Sequence, residues 1–93
     1  DEAAHQFQVT EDSATAVLVY RRSGDVMTIV HTEVPEALGG RGIGGRLASA
    51  ALAFAREQRL TVVPLCPFVS EYIRKHQEHL DLVRDDYRAQ LTA

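Results

Sequence analysis

The stretch from Gly39 to Gly45, GGRGIGG, holds five glycines in seven residues, and an alanine-rich segment follows it at once. A glycine run between a strand and a helix suits one chemistry well. The first N–H groups of a helix have no partner within it, and the helix dipole favours an anion in front of them. Glycine lets the backbone come within hydrogen-bond distance of phosphate oxygens. Gly39, Gly40, Gly42, Ile43, Gly44 and Gly45 therefore read as an anion cradle for phosphate or pyrophosphate, with Arg41 and Arg46 adding positive charge at its rim. The plain alternative is a loop leading into a helix start. Cys66 is the only cysteine and precedes Pro67 at an expected helix N-terminus. A thiolate is favoured there, so Cys66 reads as a nucleophile or as a small buried hydrophobe. His31 and Glu33 lie two apart on one strand. Each is a candidate base, directly or through water, against the alternative of a half-buried sheet histidine and a solvated glutamate.

The elements that position these residues follow from the hydrophobic pattern. FQVTEDSATAVLVYRRSGDVMTIVHTEV reads as three antiparallel strands, with Gly24 and Asp25 in the second turn. The run Val26 to Val34 sets Val26, Thr28, Val30, Thr32 and Val34 on one face, and Met27, Ile29, His31 and Glu33 on the other. Pro35 ends it. A helix is expected from Gly42 to about Gln58, with Ile43, Leu47, Ala50, Ala51 and Phe54 as its apolar stripe. Leu60 to Leu65 is a short β-branched strand. A second helix is expected from about Pro67 to Glu78, with Phe68, Val69, Tyr72, Ile73 and His76 on its inner face. LDLV suggests a final short strand, and the polar residues after it, within 83–93, a loose or weakly helical end. The order β-β-β-α-β-α predicts one α+β domain over residues 1–93, its helices on a mostly antiparallel sheet.

The totals set bounds. A chain of 93 residues with 45% hydrophobic content suits one small globular domain. A net charge of −3 argues against broad nucleic-acid binding, which carries a basic face. No apolar run is long enough to span a bilayer. The chain opens on Asp1, and no signal peptide is recognisable in it. A lone cysteine makes a reducing compartment, the cytoplasm, the expectation. No metal, nucleic-acid or membrane partner is expected, and the oligomeric state is open.

Two phosphate-binding motifs fail on context. Gly40 to Gly45 matches G-x-G-x-x-G, yet the strand that follows carries no acidic residue and three antiparallel strands precede the loop. A P-loop needs Gly-Lys-Ser/Thr, where this chain has Gly45-Arg46-Leu47. At these residues the sequence resembles another family. EVPEALGGRGIGGRLASAALAFAREQ looks like the acetyl-CoA loop of the GNAT superfamily of N-acetyltransferases, with Gly42-Ile43-Gly44 on the glycine part of Q/R-x-x-G-x-G/A. The likeness extends through VVPLCPFVSEYIRKHQEHLDLV to the small members of about one hundred residues, and runs from about Phe7 to Val83. One departure is Gly39, which occupies the glutamine or arginine position and removes a polar side chain facing the pyrophosphate.

The resemblance implies acetyl-CoA as cofactor and a primary amine on a protein, peptide or small molecule as acceptor. It implies that the pantetheine arm lies along the Val30–Val34 strand end, that the pyrophosphate sits over Gly40 to Gly45, and that Val34 and Cys66 flank the reacting carbon. Acetyl transfer needs a deprotonated amine, a polarised carbonyl and a protonated leaving thiolate. His31 or Glu33 would serve as base. Cys66 would be a covalent acetyl carrier or the acid, and Tyr72 an acid by likeness to the tyrosine of this region in the family. Cys66 and Tyr72 also read as packing residues. The chain lacks the helices that cover the acceptor site in larger members, which suggests an open site. A non-catalytic acyl-CoA-binding or interaction module is the competing reading.

Overall fold

The computed structural model describes residues 4–92. Its first half is two hairpins sharing a strand. β1 (Ala4–Glu11) pairs antiparallel with β2 (Ala14–Ser23), and β2 with β3 (Val26–Glu33). Both hairpins turn on two residues. Gly24 stands at φ 59° in the second, whereas Asp12 and Ser13 stand at φ 52° and 69° in the first. Two successive left-handed residues are what a tight hairpin with right-twisted strands requires. After α1 (Ile43–Glu57), β4 (Thr61–Pro64) joins parallel to β3, and the sheet order is β1-β2-β3-β4. α2 (Pro67–Lys75) follows. The α+β class and the order β-β-β-α-β-α are as the sequence predicts.

One face of the sheet supplies the core. Leu18, Tyr20, Met27 and Ile29 pack against Ile43, Leu47, Ala51, Leu52 and Ala55 of α1, and against Val69 and Ile73 of α2. Alanine on α1 lets the helix lie close to the sheet. Phe54 meets Phe7 edge-on at 5.6 Å between ring centres, while Ala50, expected in the stripe, is exposed.

The register of β3 departs from simple alternation. Val19 pairs with His31, but Tyr20 pairs with Ile29, so Val30 is an extra residue, a β-bulge. A bulge shifts every later side chain to the opposite face. Met27 and Ile29 point into the core, and Thr32, opposite buried Leu18, joins them. His31 and Glu33 therefore do not share a face with Met27 and Ile29 as alternation predicts. They lie on the outer face, beside Val19 and Val17.

The C-terminal third differs from expectation in three ways. α2 stops at Lys75, because the Gln77 amide caps it by donating to the carbonyls of Ile73 and Arg74 at 3.2 and 2.9 Å. LDLV is not a strand: Gln77–Leu82 is a 3₁₀ turn, and Val83 alone bridges Val62. Leu82 and Val83 are consecutive yet both buried, which an alternating strand does not allow. The end expected to be loose or weakly helical is α3 (Asp85–Leu91). It is docked through buried Leu91, whose carbonyl accepts from Gln77 at 2.8 Å, and through the Gln90 carbonyl, which accepts from Arg74 at 2.8 Å. Residues 1–3 and 93 of the expected domain lie outside the described residues. No helix among the described residues is long and apolar enough to cross a membrane.

Candidate active site

The two parallel strands part at one carbonyl. β3 and β4 stay paired from Val26–Thr61 to Ile29–Pro64. The Ile29 carbonyl then accepts from both Leu65 N and Cys66 N, at 3.0 and 3.1 Å. Beyond it β4 turns into α2, while β3 runs on to Glu33 without a β4 partner. The backbone of β3 from Val30 onward is thus unpaired on that side. Val30 and Leu65, 39% and 53% exposed, form apolar lips on the gap. Cys66 lines its inner wall at 3% exposure, and its thiol donates to the Thr32 hydroxyl at 3.4 Å.

β3 leads through Val34 and Pro35 into a 3₁₀ turn, Glu36–Leu38, pinned by buried Leu38. The glycines follow. Gly40 and Gly42 take φ of 80° and 71°, a region that side chains rarely enter, and nothing stands within 4 Å of where a Cβ would be. Gly42 caps α1 with its backbone alone, its carbonyl accepting from Arg46 N at 3.1 Å. No side chain caps the helix, and no acid stands in its first turn. The N–H groups of Ile43, Gly44 and Gly45 thus lack partners within the helix, at the positive end of a fifteen-residue helix dipole, and of these three residues only Gly45 is not buried.

The five glycines do not share one reason. A Cβ on Gly44 would sit 2.6 Å from the ring of Phe68, and one on Gly45 would sit 3.6 Å from that of Tyr72. Gly44 is glycine because α2 packs onto the first turn of α1. Ile43 is in the core, 1% exposed.

The two arginines stand at the rim but are already paired. Arg41 contacts Asp12 at 2.9 Å and Glu11 at 3.2 Å, and Arg46 reaches Glu11 at 3.4 Å. Hydrogen bonds from Asp12 and then Glu11 raise the Arg41 pKa above its ordinary value. Nothing in the sequence signals this contact, since the acids belong to a hairpin thirty residues upstream.

The remaining candidates fall into separate places. His31 Nε2 and Glu33 Oε1 lie 3.4 Å apart on the outer face, with side chains 58% and 69% exposed. Cys66 is on the core side with Thr32, so His31 and Cys66 lie on opposite faces of β3. Tyr72 is half-buried on α2, beside Gly45, and its ring lies tilted against that of His76, 4.2 Å between centroids. Phe68, Glu71, Tyr72, Lys75 and His76 line a hollow of about 150 Å³ there. A larger one of about 220 Å³ lies at the opposite end of β4, around Thr61, Asp81 and Arg88. Its charges are paired with one another and with Arg56, so it is read as structural. Among the described residues no group of three His, Cys, Asp or Glu side chains is placed to hold a metal ion.

The comparisons with known proteins agree with this geometry. The profile of the family described as GCN5-related N-acetyl-transferase matches residues 6–82. The chain is 37% identical over 79 residues to the mouse protein named Protein NATD1, covering 82% of this chain and 72% of that one. It is 40% identical over 62 residues to the human protein of that name, covering 66% of this chain and 55% of that one. The zebrafish protein is 32% identical over 88 residues, covering 89% and 80%. This chain belongs to the GCN5-related N-acetyltransferase family.

Proposed function

We propose that this protein is an acetyl-CoA-dependent N-acetyltransferase acting on an exposed primary amine, carried by a protein, a peptide or a small polyamine. One observation carries the reading. The parting of β3 and β4 at Ile29 opens an unpaired strand edge that leads straight into a glycine loop and an uncapped helix start.

The residues present fit the cofactor. Gly40 and Gly42 leave open space before α1, and the N–H groups of its first turn, that of half-buried Gly45 foremost, are donors for pyrophosphate oxygens. Val34 and the free edge of β3 suit the amide-bearing pantetheine arm. Gly39 contributes no side chain, so Arg41 and Arg46 are the cations left for the phosphates. Acetyl-CoA supplies an activated acyl thioester. His31, its Nε2 held by Glu33, takes a proton from the amine at Nδ1, directly or through a water. The Tyr72 hydroxyl, on the helix that flanks the loop, holds the proton that the departing thiol takes up. Cys66 and Thr32 shape the wall of the gap. The outer face, with Gln6, Gln8, Thr10 and His31 exposed, carries no covering helix over β1–β3 among the described residues, which suits an amine presented on a large partner. The free, buried Cys66 agrees with a reducing compartment such as the cytoplasm.

A second reading is a non-catalytic acyl-CoA-binding module. It is favoured by the absence of buried polar or charged side chains among the described residues, which leaves no base tuned by burial. A titration with acetyl-CoA followed by amide resonances, paired with thiol release across peptides and polyamines, separates the two. Shifts on Val34 and Gly39 to Arg46 with amine-dependent thiol release support the transferase. The same shifts without release support the module, and no shifts would sink both.

A further inference from the structure

We propose that Glu11 and Asp12, at the tip of the β1–β2 hairpin, form a built-in competitor for the cofactor's phosphates, holding Arg41 and Arg46 until CoA displaces them. The inference rests on the reading of the glycine loop as the phosphate site.

Three ion pairs converge on this spot: Arg41 with Asp12 at 2.9 Å, Arg41 with Glu11 at 3.2 Å, and Arg46 with Glu11 at 3.4 Å. The carboxylates come from a distant element, while the first turn of α1 has no acid of its own. They reach the guanidinium groups of Arg41, just before α1, and of Arg46, near its start. Their placement is fixed by a two-residue turn whose members, Asp12 and Ser13, both hold positive φ. Both arginines remain accessible, with side chains 43% and 60% exposed, so a phosphate group can reach them. Exposed ion pairs of this kind are weak, and a phosphate offers more charge and bidentate acceptors. The contact is therefore strong enough to organise the empty site and weak enough to yield. With CoA bound, the carboxylates lose their partners and face like charge, so the hairpin tip loosens. A neutral ligand that lacks phosphates leaves the contact intact.

The test compares the wild-type protein with Glu11→Gln/Asp12→Asn, using CoA and pantetheine as separate probes at low salt. Asparagine accepts the left-handed conformation of residue 12, so the turn survives. Glu11→Gln alone provides a second variant that leaves the turn untouched. We expect the double variant to bind CoA about three- to tenfold more tightly and pantetheine unchanged, with a smaller gain for Glu11→Gln. In the wild type, CoA should speed amide exchange at Asp12 and Ser13, the reverse of the usual protection by a ligand. Unchanged or weaker CoA binding in both variants would overturn the proposal, because the acids would then be inert or would be positioning the arginines. CoA binding that is absent from wild type and variants alike would overturn the loop reading and this proposal with it.

Discussion

The Cys66 thiol donates to the Thr32 hydroxyl at 3.4 Å, across the point where β3 and β4 separate. The contact depends on the bulge at Val30, which turns Thr32 toward the core. It leaves Cys66 buried, 3% exposed, without an approach for an acyl donor. Incubation with acetyl-CoA should give no acetyl increment on Cys66 by intact mass. Cys66→Ala should cost about 1 kcal/mol in urea unfolding and keep turnover within a few-fold of the wild type. An increment that vanishes in Cys66→Ala would make the thiol the nucleophile instead.

His31 and Glu33 stand together on the outer face, where an incoming amine would meet them. His31→Ala should lower the rate by about a hundredfold and alter its pH profile, with stability little changed because the ring is exposed. Glu33→Gln should fall between that variant and the wild type, since it keeps the ring and loses only its partner. A His31→Ala enzyme with the wild-type profile would remove His31 as the base.

Gly44 makes a prediction whose sign depends on a second residue. Alanine in a helix interior is about 1 kcal/mol better than glycine. At position 44, however, the added Cβ would meet the Phe68 ring at 2.6 Å. Gly44→Ala should therefore destabilise the wild type by about 1–3 kcal/mol through overpacking. In a Phe68→Ala background the same change should stabilise. Equilibrium unfolding of the four proteins of this cycle measures both signs, and a destabilisation of equal size in both backgrounds would show that Phe68 is not the obstacle.

The third turn of support comes from α1 and the 3₁₀ segment. Arg56 binds both oxygens of Asp81 at 2.9 Å and holds its carboxyl below the ordinary value. A carboxyl with a lower pKa folded than unfolded stabilises the fold above its unfolded value, near pH 4, and that contribution is lost as pH falls through the folded value. Asp81→Asn should lower the melting temperature slightly at pH 7, because both side chains are half exposed. The difference from wild type should shrink as pH falls below about 4 and vanish once pH is below the folded value. A difference that persists in acid would mean that the asparagine disturbs packing rather than charge.

The parts of the fold written in local chemistry were legible in the sequence. Gly24 and Asp25 mark a turn, Pro67 a helix start, and the glycines after Pro35 a loop that approaches something closely. What was not legible depends on pairs of distant residues. Val30 sits in an unbroken β-rich run with no glycine to announce a bulge, so alternation assigned His31 and Glu33 to the wrong face. Gly44 looks like its neighbours until Phe68 is placed against it. Arg41 and Arg46 look free until a hairpin brings Glu11 and Asp12 to them. The polar sequence of α3 hides the docking of buried Leu91 and of the carbonyls that Gln77 and Arg74 reach.

The two margins of the sheet are unequal. On β4, the Leu65 N–H points at β3, so by alternation the nitrogen of Pro64 points outward, where it has no hydrogen to give. Val83 already bridges Val62 on that side. β1, by contrast, presents eight residues of strand with no neighbour beyond it among the described residues. Growth of this sheet by another strand therefore has a direction: one margin is terminated by an imino acid, and the other keeps a full row of donors and acceptors to offer.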